Sequence, residues 1–222
     1  MGEVVDVYVG SYTAAAGALP WVGSHGGAGI TRLTLNPATG KLSATGEVVA
    51  QQSPTWLEVD PSGTFLVATT ELSHHTGAAK GTGFVTSYRI RDDGSLAAVR
   101  ARSTGGLGNT CCSFDRTGRF LLVTRYWEGG VSALPWDAAT GEIGPVCAAP
   151  DHEGPCGPHP LRQAVPHPHG VHGDRETDAV YAADLGTDAI HRYRLTAAGG
   201  LDPVARVPIG VQRHGSMRDE NS

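Results

Sequence analysis

Lysine, clustered positive charge and long apolar runs are all scarce in this sequence. Only two of its 17 basic side chains are lysines, Lys41 and Lys80, and the formal net charge is −5. No basic block is present, so the electrostatic footprint of a nucleic-acid-binding protein is missing. No apolar run approaches the roughly 20 residues of a membrane-spanning helix. The acidic start, residues 1–6, lacks the apolar segment of a signal peptide. We therefore expect a cytoplasmic protein with neither nucleic-acid nor membrane partners.

Cysteine is also sparse, and its spacing does not indicate a metal or redox motif. Four cysteines occur, and no pair shows the C-x-x-C spacing. Cys111 and Cys112 lie side by side in a strand-like segment, and adjacent thiols have poor geometry for pairing with each other. Cys147 and Cys156 flank a loop, and their spacing is compatible with either a disulfide or two thiols. We expect reduced, structural thiols.

Glycine and proline are abundant instead, with 31 and 14 residues, and they punctuate a repeat. A strand, an aspartate-containing turn and a second strand recur around Asp60, Asp115 and, in a degraded form, Asp174. Aspartate binds its own backbone in such turns, and glycine adopts positive φ there. A second pattern, a strand followed by a glycine turn and a short strand, occurs four times, with turn glycines at positions 40, 94, 141 and 200.

Together the two patterns give a unit of about 50 residues with four short strands and no amphipathic helix. Such a unit is typical of a β-propeller blade, so we expect an all-β fold with about four blades. A β-sandwich does not explain a repeat of this length. Residues 4–12 match only the second half of the first pattern, so the chain enters the repeat in mid-blade. We divide the chain into a partial propeller over 1–214 and an off-pattern tail over 215–222.

Several segments, taken in their order along the repeat, resemble the lactonase family of seven-bladed β-propellers, which includes propeller-type 6-phosphogluconolactonases and fungal carboxymuconate cyclases. The resemblance runs from about residue 5 to His214 and rests on seven segments: 7–13, 29–30, 53–57, 118–123, 162–163, 166–169 and 183–188. Seven blades need well over about 300 residues, so the resemblance implies a C-terminally truncated member. Val211-Gln212 also stands where the family has Gly-Pro.

The resemblance implies hydrolysis of a lactone ring without a cofactor. The substrate it implies is a small anionic sugar lactone, most specifically 6-phosphogluconolactone, opened to 6-phosphogluconate in the pentose phosphate pathway. A carboxymuconate-type lactonising cycloisomerase uses the same fold, and the residues do not separate the two reactions. A non-catalytic propeller that binds another protein is the alternative from a different class. The family also uses a glutamate and a further arginine that would lie past residue 222, so we expect impaired activity.

Ester hydrolysis needs an activated water, a donor for the developing oxyanion and groups that hold an anionic substrate. The resemblance assigns His169 as the general acid or base and Arg213 as the residue that holds a carboxylate or phosphate. Four further residues are predicted to line the channel and bind substrate: Arg162, Gln163, His167 and Asp184. A loop-ordering role is the alternative for Arg162 and Gln163. Glu71, at the matching end of an earlier strand, is a weaker candidate of the same kind as Asp184.

Five histidines fall within 21 residues: His152, His159, His167, His169 and His172. Imidazole clusters bind zinc, and the last three superficially resemble the His-x-His-x-Asp-His run of metallo-β-lactamase-like hydrolases. Val171 stands where that run has aspartate, and the surrounding αββα pattern is missing. We therefore expect adventitious metal affinity at most and no catalytic metal.

Overall fold

The fold consists of four consecutive blades of a β-propeller. The structure is a computed structural model that describes residues 4–13, 26–73, 79–160 and 162–209. These residues form fifteen β-strands in four sheets, and within each sheet neighbouring strands are antiparallel and follow one another in sequence. The described ranges contain no helix, which confirms the all-β prediction.

The blades divide the strands as follows. Blade 1 has three strands, β1 (Val5–Gly10), β2 (Ile30–Asn36) and β3 (Lys41–Val49). Blade 2 has β4 (Leu57–Val59), β5 (Phe65–Thr69), β6 (Phe84–Ile90) and β7 (Leu96–Ser103). Blade 3 has β8 (Cys112–Phe114), β9 (Phe120–Arg125), β10 (Gly130–Asp137) and β11 (Glu142–Ile143). Blade 4 has β12 (Pro168–Gly173), β13 (Ala179–Asp184), β14 (Ala189–Leu195) and β15 (Leu201–Pro208).

The aspartate turns explain where the first two strands of a blade reverse direction. In blade 2, the Asp60 carboxylate accepts the backbone N–H of Phe65, the first residue of β5, at 2.8 Å. In blade 3, Asp115 accepts the N–H of Phe120, the first residue of β9, at the same distance. In blade 4, Asp174 accepts backbone N–H groups only from within its own turn. The sequence predicts this weaker turn, because the motif around Asp174 is degraded.

The core lies between the blades, where each sheet packs face to face on the next. Three apolar clusters fill the three junctions. Between blades 2 and 3 the rings of Phe65 and Trp136 meet edge to face at 5.7 Å. Trp56, the residue just before β4, packs against both this cluster and the one between blades 3 and 4. Because burying a large apolar side chain contributes about 1.5–3 kcal/mol, these junctions hold the blades in place.

The inner edges of the sheets line the central channel. β4, β8 and β12 are the edge strands of blades 2, 3 and 4, and β8 contacts both β4 and β12. Within the described residues blade 1 lacks the corresponding inner strand, as the mid-blade start predicts. All four cysteines are free thiols, with Cys111 and Cys112 buried and Cys147 and Cys156 exposed. The predicted boundary at residue 214 lies outside the described residues.

Candidate active site

At one end of the channel lie the residues that follow one equivalent strand of each blade. This is the second strand of blades 2 to 4 and, because blade 1 lacks the inner strand, the first strand of blade 1. β1, β5, β9 and β13 occupy the same place in blades 1 to 4. The residues at the equivalent position just past them are Tyr12, Glu71, Tyr126 and Leu185. The repeat therefore delivers one side chain from each blade to a single rim, which we call the mouth.

Glu71 supplies the negative charge of the mouth. The hydroxyls of Tyr12 and Thr55 each donate a hydrogen bond to one of its carboxylate oxygens, both at 2.6 Å. Burial and the Glu71 carboxylate together raise the pKa of Tyr12, so this phenol keeps its proton. The two hydroxyls hold the carboxylate in one orientation before any ligand arrives.

Tyr126 organises the opposite side of the mouth. The ring of His167 stacks on the Tyr126 ring at 4.3 Å, and the ring of His169 meets its edge at 5.9 Å. Arg162 forms a hydrogen bond with the Tyr126 side chain. Burial raises the pKa of Tyr126 despite the opposing effect of Arg162, so the hydroxyl stays protonated. The mouth thus brings together three of the predicted site residues, Arg162, His167 and His169.

Only one of the two neighbouring histidines faces solvent. His169 is exposed, whereas His167 is buried. Nδ1–H of His167 donates to the backbone oxygen of Tyr126 at 2.9 Å. Thr110 donates its hydroxyl proton to the backbone oxygen of His169 at 3.0 Å. Of the pair, His169 is therefore the imidazole that a ligand in the channel can reach, and His167 supports the wall behind it.

Asp184 lies beneath the mouth. One carboxylate oxygen accepts the backbone N–H groups of His167 and Thr187 at 2.8 and 3.0 Å. The other accepts Nδ1–H of His152 at 2.6 Å, and neither side chain of this pair is exposed to solvent. Burial alone would raise the pKa of Asp184, but the hydrogen bonds from His152 and the two amides outweigh it and lower the pKa. The carboxylate fixes the start of the 167–169 segment from behind, and its contact with substrate stays a prediction.

Gln163 also has its polar atoms engaged within the protein. Its amide nitrogen donates to the backbone oxygen of Leu185 at 2.9 Å and to the carboxylate of Asp188 at 2.6 Å. Its amide oxygen accepts the backbone N–H of His159 at 3.0 Å. Asp188 has a positive φ of 45°, so this contact supports a strained turn. These contacts favour the loop-ordering role for Gln163, and substrate binding by this residue stays a prediction.

A third buried histidine, His191 of β14, completes the group below the mouth. Its ring stacks on that of His152 at 3.8 Å with only 11° between the planes. His152, Asp184 and His191 place ligating atoms within 4.8 Å of one another. Two stacked imidazoles, however, direct their in-plane lone pairs along parallel planes and not toward one ion. The geometry fits a hydrogen-bonded stack better than a metal centre.

The remaining predicted residues lie elsewhere. His172 is at the opposite end of β12, with its ring 6.3 Å from that of Trp56, so His167, His169 and His172 do not converge as metal ligands. Arg213 lies outside the described residues. Sequence reasoning overlooked Tyr12, Tyr126 and His191. Glu71 follows β5 at a fixed place in the repeat, and Tyr12 and Tyr126 stand at the same place after β1 and β9. Aligning the copies of the repeat therefore identifies both tyrosines.

Comparison with known proteins identifies the family. A family model described as lactonase, 7-bladed beta-propeller, matches residues 6–216. This chain belongs to that family. A similar fold is seen in the solved structure of the Pseudomonas aeruginosa periplasmic gluconolactonase, which is 28% identical, with a TM-score of 0.80 over 94% of this chain and 56% of that one.

Curated lactonase relatives are distant and longer. A probable 6-phosphogluconolactonase of Arthroderma benhamiae is 28% identical over 90% of this chain and 49% of its own length. A 6-phosphogluconolactonase of Formosa agariphila is 25% identical over 76% of this chain and 46% of its own length. The chain thus spans about half the length of the curated relatives it matches.

Proposed function

We propose that this chain opens a sugar lactone by hydrolysis, and that 6-phosphogluconolactone is its substrate in the pentose phosphate pathway. The observation that carries the proposal is the exposed His169 imidazole beside Tyr126 and Arg162 at the mouth. The names of the related 6-phosphogluconolactonases and of the gluconolactonase support it. A sugar lactone also suits the mouth chemically, because each oxygen of the Glu71 carboxylate accepts one hydrogen bond from the protein and has a further lone pair for a sugar hydroxyl.

The reaction needs three tasks, and the mouth has a group for each. His169 accepts a proton from a water molecule, whose oxygen forms a bond to the lactone carbonyl carbon. Tyr126 donates a hydrogen bond to the oxyanion that develops on the carbonyl oxygen. The bond between this carbon and the ring oxygen then breaks, and the protonated His169 returns its proton to the ring oxygen. The product is an open-chain hydroxy acid.

The phosphate of the substrate needs a cation. Arg162 lies at the mouth, and the family resemblance assigns a second arginine, Arg213, to the anionic group of the substrate. Guanidinium groups bind phosphate through paired hydrogen bonds. We propose that these two arginines select a phosphorylated or otherwise anionic lactone over a neutral one.

The cellular compartment belongs to the same proposal. Within the part of the chain that the structure describes, no helix has the length and apolar character to cross a membrane. We assign the chain to the cytoplasm because the pathway of the proposed substrate operates there. The Pseudomonas aeruginosa relative, by contrast, is described as periplasmic. Fractionating the native host and detecting the chain with an antibody tests this assignment directly.

Replacing His169 with alanine tests the catalytic assignment. We expect kcat/KM for 6-phosphogluconolactone, measured above the enzyme-free rate, to fall by about 100-fold or more, because loss of a general base costs 10²–10⁴. His172→Ala is the matched control, since it removes an exposed histidine from the other end of β12 and should leave the rate unchanged. A His169→Ala variant with the wild-type rate, or a wild-type chain no faster than buffer, contradicts the proposal and favours a binding module.

A further inference from the structure

His169, the general base of the proposed reaction, occupies a β-bulge. Pro168 and Gly170 of β12 pair with consecutive residues of β13, so β12 has one residue more than its partner strand, and His169 is that residue. In a regular strand, residues two positions apart point to the same side, which would place His169 on the buried side of Val171. The bulge interrupts this alternation, and the His169 side chain is exposed. Bulges beside active sites commonly re-aim a side chain in this way.

Blade 3 supplies a hydrogen-bond donor to the backbone of this bulge. The extra residue of a bulge is left unpaired in the ladder. The buried hydroxyl of Thr110 donates to the backbone oxygen of His169 at 3.0 Å, and this bond crosses from blade 3 to blade 4. Thr110 is itself tied into blade 3, because its hydroxyl lies 3.0 Å from that of Thr124. The Thr124 hydroxyl also accepts the backbone N–H of Cys111 at 3.0 Å.

The position of Thr110 recurs in the neighbouring blades. Thr55, Thr110 and His169 each stand five residues before the turn aspartate of their blade. Two of the three act at the mouth directly: the Thr55 hydroxyl donates to Glu71, and the ring of His169 meets the edge of Tyr126. The third, Thr110, reaches the mouth through the backbone of His169. The repeat thus places the hydroxyl of blade 3 next to the imidazole of blade 4.

We propose that Thr110 is a positioning residue for the reaction. Its hydroxyl fixes the bulge of β12 and thereby holds the His169 imidazole beside Tyr126. The inference rests on the proposed function, in which His169 is the general base and Tyr126 donates to the oxyanion. A general base must lie within hydrogen-bond reach of the proton that it accepts, and a displacement of about 1 Å can lower a rate by about 100-fold. Asp184 holds the start of the same segment through the N–H of His167, so the segment is anchored on both sides of Pro168.

Three variants separate the hydroxyl of Thr110 from its shape. Thr110→Val removes the hydroxyl and keeps the branched side chain, whereas Thr110→Ser keeps the hydroxyl and removes the methyl group. Ser87→Ala is the matched control, because the buried Ser87 hydroxyl also donates to a backbone oxygen of the next blade, that of Gly141 at 2.6 Å. That bond joins β6 to the turn between β10 and β11, away from His169. Circular dichroism and thermal melting confirm folding, and Thr110→Ala, which also lacks the hydroxyl, serves if the valine variant does not fold.

Steady-state kinetics with 6-phosphogluconolactone, corrected for the enzyme-free rate, give the first readout. We expect Thr110→Val to lower kcat about tenfold and to change KM by less than about twofold, because the hydroxyl orients the base and does not bind the substrate. Thr110→Ser and Ser87→Ala should both keep kcat within about twofold of the wild-type value. A tenfold loss that Thr110→Val shares with either of these two variants would show that packing matters and not the hydroxyl, and it would overturn the inference.

NMR spectra of the same variants give a readout that requires no activity. The ring C–H signal of His169, assigned by its absence in His169→Ala, senses the ring current of Tyr126. We expect this signal to move in Thr110→Val and to keep its wild-type position in Thr110→Ser and Ser87→Ala. A signal that does not move in Thr110→Val overturns the inference, and hydrolysis by the wild-type chain would then leave the proposed function intact. A wild-type chain no faster than buffer contradicts the proposed function, and the NMR signal alone then decides whether Thr110 positions His169.

Discussion

Blade 3 and the two terminal blades have the same strand order but differ in burial. Every residue of β9 in blade 3 is buried, whereas burial alternates along β13 in blade 4, and β1 in blade 1 has no fully buried residue. The difference follows from packing, because blade 3 has a neighbour on each face and the terminal blades have one. The same repeat therefore gives units of different stability, and the free energy of a blade depends on its neighbours more than on its own strands.

The aspartate turns give the largest expected contrast between these blades. Asp115→Ala in blade 3 removes the acceptor for the backbone N–H of Phe120 and leaves that buried group unpaired, at a cost of about 3 kcal/mol in the free energy of unfolding. Asp174→Ala in blade 4 removes contacts confined to an exposed turn and should barely shift the urea midpoint. Equal shifts for the two variants would show that the turns contribute alike. Asp115→Asn, which keeps one acceptor oxygen, should recover part of the loss.

A matched pair of valines sharpens the comparison with a smaller effect. Val123 of β9 and Val9 of β1 occupy the same position in their blades and are 0% and 45% exposed. We expect Val123→Ala to lower the free energy of unfolding by about 2 kcal/mol, and Val9→Ala to lower it by less than about 0.5 kcal/mol. Urea unfolding measures both. Equal losses for the two variants would contradict the link between the burial of these valines and their contribution.

A pH dependence of the free energy of unfolding is expected at the junction of blades 3 and 4. Burial and the neighbouring His152 lower the pKa of His191 from 6.5 to about 4, against the opposing effect of Asp184. Between these values the unfolded chain binds a proton that the folded chain does not, so stability falls as the pH drops from 6.5 toward 4. Urea midpoints measured across this range should fall less steeply for His191→Gln. An unchanged slope in that variant would locate the acid sensitivity elsewhere.

The repeat made most of the fold accessible from sequence. The turn motif around Asp60 and Asp115 and the glycine turns mark the strand pairs, and period-2 alternation identifies the faces. The mid-blade start of the chain was likewise visible, because residues 4–12 match only half of a pattern. Differences in burial between equivalent strands were visible in part, because β9 opens with four consecutive apolar residues, whereas Asp6 and Tyr8 alternate with the valines of β1.

The candidate site was accessible only in part. His169 and Arg162 lie in motifs of the family resemblance, and the structure brings both to Tyr126. The contact of His152 with Asp184 joins residues 32 positions apart, and no local pattern indicates it. The stack of His191 on His152 has no sequence signal either, because its position on β14 reads as an ordinary strand residue.

The position of Trp56 has a consequence for how the molecule unfolds. This one side chain contacts the clusters on both sides of blade 3, so it bridges blades that are not neighbours. In a linear repeat protein each unit contacts only the next, and terminal units can detach one at a time. Here the loss of blade 4 also strips contacts from blade 2, which couples their unfolding. Blades 2 to 4 should therefore melt as one cooperative unit, while blade 1 frays separately.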